Sequence, residues 1–133
     1  MTKQGKFTPA YAHELLRIAV QDFQTAQILS LQTGVRIENI FLLAQQALEK
    51  ALKAVLCWKG DPIPFVHEIG ILVVKIETLG LTVPFGFDLN GLSEFATVRR
   101  YLEGKETWSN EEVKVILEQV EKALSWCHSQ IVI

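Results

Sequence analysis

Two charged residues sit where the surrounding pattern asks for apolar ones. On a helical wheel Asp22 falls near the centre of an apolar face formed by Tyr11, Leu15, Ile18, Ala19, Ala26 and Leu29, and Arg99 falls amid Leu92, Phe95, Ala96 and Leu102. Burying either charge alone is costly, so a charge on such a face has a partner. Two arrangements satisfy that demand: a structural ion pair between packed helices, Asp22 with Arg99, or a polar cleft between helices that accepts a phosphate or a nucleotide. His67, just after a proline-bearing loop, reads either as a helix-start residue making a local hydrogen bond or as a ligand contact.

A further set of polar side chains lies in "FLLAQQALEKALKAVL", residues 41–56. At about 100° per residue, Gln45, Glu49 and Lys53 fall on one line roughly opposite the Ala/Leu face. Glu49 precedes Lys53 by one turn, the favourable order for a helical ion pair worth about 0.2–0.5 kcal/mol. On these grounds the stripe reads as the solvated side of a helix. Cys57 and Cys127 are far apart and neither begins a CxxC pair, so they read as free, buried thiols, with no zinc or redox site implied. His128 beside Cys127 adds nothing, because adjacent helical residues point in different directions. Trp58 and Tyr11 read as core or interface residues. No metal site and no cofactor is expected.

The elements that must position these groups are helices. Thr8-Pro9 marks a helix start and Gly34 closes the first segment. A second helix runs from there to Gly60, where DPIP forbids continuation, with Ile40, Ala44, Ala47, Leu48, Ala51 and Val55 on its buried side. The third segment, HEIGILVVKIETLG, would suit a buried strand as well, but Ile69, Leu72, Val73, Ile76 and Leu79 keep helical spacing. Ile71 and Val74 lie outside that stripe and are free to serve a partner. A fourth helix is expected over about 88–103, and a fifth opens at WSNEEV. There Ser109 and Glu112 form a capping box, Trp108 and Val113 a hydrophobic staple, and Val113, Ile116, Leu117, Val120, Ala123, Leu124 and Cys127 the buried face.

The chain is 133 residues long, 49% hydrophobic and 21% charged, which fits one domain over residues 1–133 able to bury a core. The fold class expected is all-α, an up-and-down antiparallel bundle of four to five helices. A net charge of −2 argues against broad electrostatic capture of nucleic acid. No apolar run approaches a membrane span and the amino terminus lacks a signal-peptide core, so a cytoplasmic protein without membrane association is expected. Ile71, Val74 and the terminal Ile131, Val132 and Ile133 exceed what one bundle needs, which points to a homodimer.

The stretch "FLLAQQALEKALKAVL", followed by "PFVHEIGILVVKI" and "LSEFATVRRYLEG", resembles the HEPN family of small helical bundles, over roughly residues 10–128. The most specific part is the run Phe41, Gln45, Gln46, Ala47, Glu49, Lys50, Leu52, Lys53, Ala54, with His67 and the pair Arg100-Tyr101 adding to it. The resemblance implies dimerisation through helical faces and, for many members, action beside a minimal nucleotidyltransferase as toxin and antitoxin. Others are ribonucleases, and some resemble the helical C-terminal domains of aminoglycoside nucleotidyltransferases. The ribonuclease members depend on an arginine followed after four to six residues by a histidine. Neither Arg17, Arg36, Arg99 nor Arg100 is so followed. Without that pair the proton transfer and charge stabilisation that RNA cleavage requires have no evident source, so a ribonuclease is disfavoured.

The resemblance therefore implies a HEPN-type homodimer working with a nucleotidyltransferase partner and binding nucleotide or RNA phosphate near Arg99, Arg100, Tyr101 and His67. Two alternatives stand beside it. One is a metal-independent ribonuclease toxin using Arg100 and Tyr101, since a tyrosine accompanies the arginine in some relatives. The other is a dimeric interaction module without a ligand.

Overall fold

A computed structural model of the chain describes residues 9–62, 66–84 and 109–131. Among these residues there are four helices and no strand: α1 (Pro9–Ser30), α2 (Ile37–Trp58), α3 (Ile69–Thr78) and α4 (Asn110–Gln130). The third segment is thus a helix, as its spacing predicts. The helix expected over 88–103, together with Thr8 and Trp108, lies outside the described residues.

α1 and α2 form the main antiparallel pair. His13, near the start of α1, meets Trp58, the last residue of α2, edge to face at 5.5 Å between ring centroids. Further along α1, Asp22 meets Lys50, earlier in α2. Register that runs forward along one helix and backward along the other defines antiparallel packing, and the short link between them leaves no other course. Gly34 takes φ +83° in that link, a left-handed conformation that glycine adopts without strain. α2 also packs on α3 and α4, and α4 touches α1, which makes α2 the central helix.

That position determines its burial. The six residues expected on its buried side are all buried, and Phe41, Leu52, Ala54, Leu56 and Cys57 join them. α1 buries Ala12, Leu16, Ala19, Phe23 and Ala26, so of the expected stripe only Ala19 and Ala26 are buried. Tyr11 is 40% exposed and Leu15, Ile18 and Leu29 are only half-buried. Small residues at 12, 19 and 26 alternate with Leu16 and Phe23 along the observed stripe. Such alternation lets two helices approach closely, which favours this face over one bearing a carboxylate.

On α3, Ile69, Leu72, Val73 and Ile76 are buried and Ile71 and Val74 face outward, in agreement with the spacing. Leu79 is the exception: it lies just past the end of α3 and is exposed. Ile131 is also corrected, because it is buried in the core and so not part of a surplus apolar surface. α4 begins as expected. Ser109 Oγ accepts from Glu112 N–H at 3.0 Å, and Glu112 Oε1 accepts from Ser109 N–H at 2.9 Å, completing the capping box.

Both cysteines are free and buried, and burial pushes both thiols upward from their ordinary pKa. Because the thiolate is the reactive form, a disulfide-exchange reagent at neutral pH should modify neither thiol until the chain is unfolded. In urea melts, Leu52→Ala should cost about 2–5 kcal/mol by opening a cavity in the centre of the bundle, whereas Val74→Ala should change stability by about 0.5 kcal/mol or less.

Candidate functional site

The polar stripe of α2 is not its wet side. Gln45 is 6% exposed, Glu49 is 9% exposed and the Lys53 side chain is 13% exposed. The expectation of a solvated face fails because α2 is enclosed by three other helices.

Enclosed polar groups need partners, and these have them. Glu49 Oε2 accepts from Lys53 Nζ at 2.9 Å and lies 2.8 Å from His67 Nδ1. Glu49 Oε1 accepts from Gln45 Nε2 at 3.3 Å. Gln45 Nε2 also donates to the His67 carbonyl at 3.3 Å, which the two hydrogens of one amide allow. One helical turn separates Gln45 from Glu49 and another separates Glu49 from Lys53, so the three side chains stack along one edge of α2. They fasten residue 67 twice, by main chain and by side chain, two residues before α3 begins.

The tether leaves the imidazole at the surface. The His67 side chain is 77% exposed although Nδ1 touches an almost buried carboxylate. A carboxylate accepts hydrogen bonds and cannot donate them, so Nδ1 carries the proton and Nε2 of the neutral ring presents its lone pair. The imidazole is held through Nδ1 and polarised by Glu49, with Nε2 away from the anchor. α3 follows with no side-chain cap from Glu68, its N-cap residue, so this is also the positive end of a helix dipole. The bond that the His67 ring makes is to Glu49 on α2 and not the local helix-start hydrogen bond expected of it.

Asp22 has a different environment. It lies 2.5 Å from Lys50 Nζ, with side-chain exposures of 23% for Asp22 and 35% for Lys50, a partly solvated pair at the edge of the α1–α2 interface. Arg99, the partner expected for Asp22, lies outside the described residues, as do Arg100 and Tyr101. Of the residues expected at a phosphate site, only His67 is described. Among the described residues no group of three or more His, Cys, Asp and Glu side chains could hold a metal ion.

A family model, the HEPN domain, matches residues 12–130. The chain belongs to the HEPN family. No match is found among curated proteins or among solved structures. The matched region contains all of α2 and α3 and hence the whole Gln45–Glu49–Lys53–His67 network. It also contains the four arginines, none followed at the ribonuclease spacing by a histidine. In this HEPN domain the described ionisable cluster is therefore a glutamate–histidine pair contributed by α2 and the entrance to α3.

Burial ranks the two ion pairs. Lys53→Met leaves the Glu49 carboxylate short of a cation in an enclosed setting and should cost about 3 kcal/mol, the lower end of the range for breaking a buried pair. Lys50→Met acts on a partly solvated pair and should cost about 1 kcal/mol or less. Denaturant melts of the two variants check the difference, and equal losses would contradict the enclosure of the α2 stripe.

Proposed function

We propose that this HEPN domain is the helical member of a two-protein system with a nucleotidyltransferase, of the toxin and antitoxin kind. In this reading it is a homodimer that binds the phosphate of a nucleotide or RNA at the His67 edge. The observation that carries the binding site is His67 itself: an imidazole fixed through Nδ1 by Glu49 yet 77% exposed. A histidine needed only for packing would not be both anchored and open. An outward ring edge beside a helix N-terminus without a side-chain cap suits an anion, by hydrogen bonding and by the helix dipole together. Arg99, Arg100 and Tyr101 are proposed to complete that site.

The pairing with a nucleotidyltransferase rests on family membership, as does dimerisation. Ile71 and Val74, exposed at 42% and 49% on α3, offer apolar surface for a helical dimer face. Among the described residues no helix is long and apolar enough to cross a membrane, which is compatible with a cytoplasmic protein.

Titration of the full chain with ATP, and separately with a single-stranded RNA oligonucleotide, tests the site. His67→Ala and Arg100→Ala should each weaken binding by about tenfold or more, the loss of a hydrogen bond to a charged group. Lys50→Met should leave binding unchanged. Unaltered affinity in both site variants would remove His67 and Arg100 from the reading, and a sedimentation coefficient of a monomer at micromolar concentration would remove the dimer.

A further inference from the structure

The Glu49–His67 pair has the parts of a nucleophile as well as those of a binding contact. We propose that Nε2 of His67 is a covalent acceptor for a phosphoryl group, delivered by a donor of the phosphoramidate or acyl-phosphate class. This goes beyond anion binding, because it requires neither a nucleotide nor a partner protein, and either proposal can fail without the other.

Three observations carry it. Nδ1 lies 2.8 Å from Glu49 Oε2, which fixes the tautomer with the Nε2 lone pair free to attack. The His67 side chain is 77% exposed, so a tetrahedral phosphorus can approach that nitrogen from solvent. Gln45, bonded to the His67 carbonyl, holds the main chain in place while the ring reacts. The other histidines have different settings: His13 is half-buried against Trp58, and His128 is exposed on the last turn of α4.

The step balances without a metal or an oxidant. The Nε2 lone pair attacks phosphorus and an N–P bond forms. The P–N bond of phosphoramidate, or the P–O bond of an acyl phosphate, breaks, and ammonia or a carboxylate leaves with the bonding electrons. The ring becomes a phosphoimidazolium that keeps its Nδ1 proton. Its positive charge develops directly against Glu49, so the carboxylate stabilises the transition state more than the neutral ground state. Water can then attack phosphorus, returning the free histidine and inorganic phosphate.

The test treats the full chain with potassium phosphoramidate near neutral pH and follows phosphohistidine by peptide mass spectrometry, with phosphorus NMR assigning the ring nitrogen. His67 should be labelled at Nε2 about tenfold faster than His13 or His128, which serve as controls within the same folded molecule, a difference of ~1.4 kcal/mol in activation free energy. Glu49→Gln, checked for folding by circular dichroism, should slow labelling at His67 and leave the other two histidines unaffected. Equal rates at all three histidines in the unaltered chain would overturn the proposal, and so would labelling of His67 mainly at Nδ1. A folded Glu49→Gln variant labelled at the original rate would also overturn it, by showing that the carboxylate has no part in the reaction.

Discussion

A helix packed on by three others keeps little solvent face, and on α2 that face is taken by residues such as Asn39 and Gln46. α2 packs against α1, α3 and α4, and its polar residues at 45, 49 and 53 come under the same enclosure as its leucines. Each must then find a hydrogen-bonding partner within the protein, or the helix could not occupy the centre. Glu49 satisfies its own charge with Lys53 and spends its remaining capacity on Gln45 and His67. The segment leading into α3 is thus held to α2 by polar contacts as well as by the apolar packing of Ile69, Leu72 and Ile76.

From this constraint the candidate site follows. A carboxylate that must be satisfied inside the bundle reaches outward to one histidine, and the histidine is thereby positioned, polarised and given a defined tautomer. The same bond contributes to the fold and prepares the ring. The Asp22–Lys50 pair is a useful contrast: at the margin of the α1–α2 interface it is partly hydrated and orients no third group among the described contacts. Enclosure, more than the presence of opposite charges, distinguishes a network that can position a functional group from one that decorates an interface.

Much of the fold could be read from residue order because local signals agree with global packing. Ser109 and Glu112 form their capping box whatever lies beyond them, and the helical spacing of Ile69, Leu72, Val73 and Ile76 outweighs the strand propensity of the same residues. The site was harder to read. His67 stands out as a polar residue before an apolar run, but a helical wheel treats α2 by itself and assigns Gln45, Glu49 and Lys53 to water. Only the count of neighbouring helices decides otherwise, and that is a property of the whole bundle. Asp22 shows the same limit: a one-residue rotation of the α1 stripe moves it from the expected centre of the face to an edge, where Lys50 meets it. Such a rotation is settled by the fit of Ala12, Ala19 and Ala26 against neighbouring helices, which no single-helix pattern contains.

The coupling of Glu49 to His67 can be observed directly through the nitrogen chemical shifts of the three imidazoles, recorded by long-range proton–nitrogen correlation NMR at a pH where the rings are neutral. His67 should show one tautomer, with Nδ1 protonated and Nε2 carrying the lone pair, and should revert toward the tautomer mixture of a free imidazole in Glu49→Gln. A His67 ring protonated mainly at Nε2, or averaged between tautomers in the unaltered chain, would contradict the view that an enclosed carboxylate on the central helix sets the state of the exposed histidine.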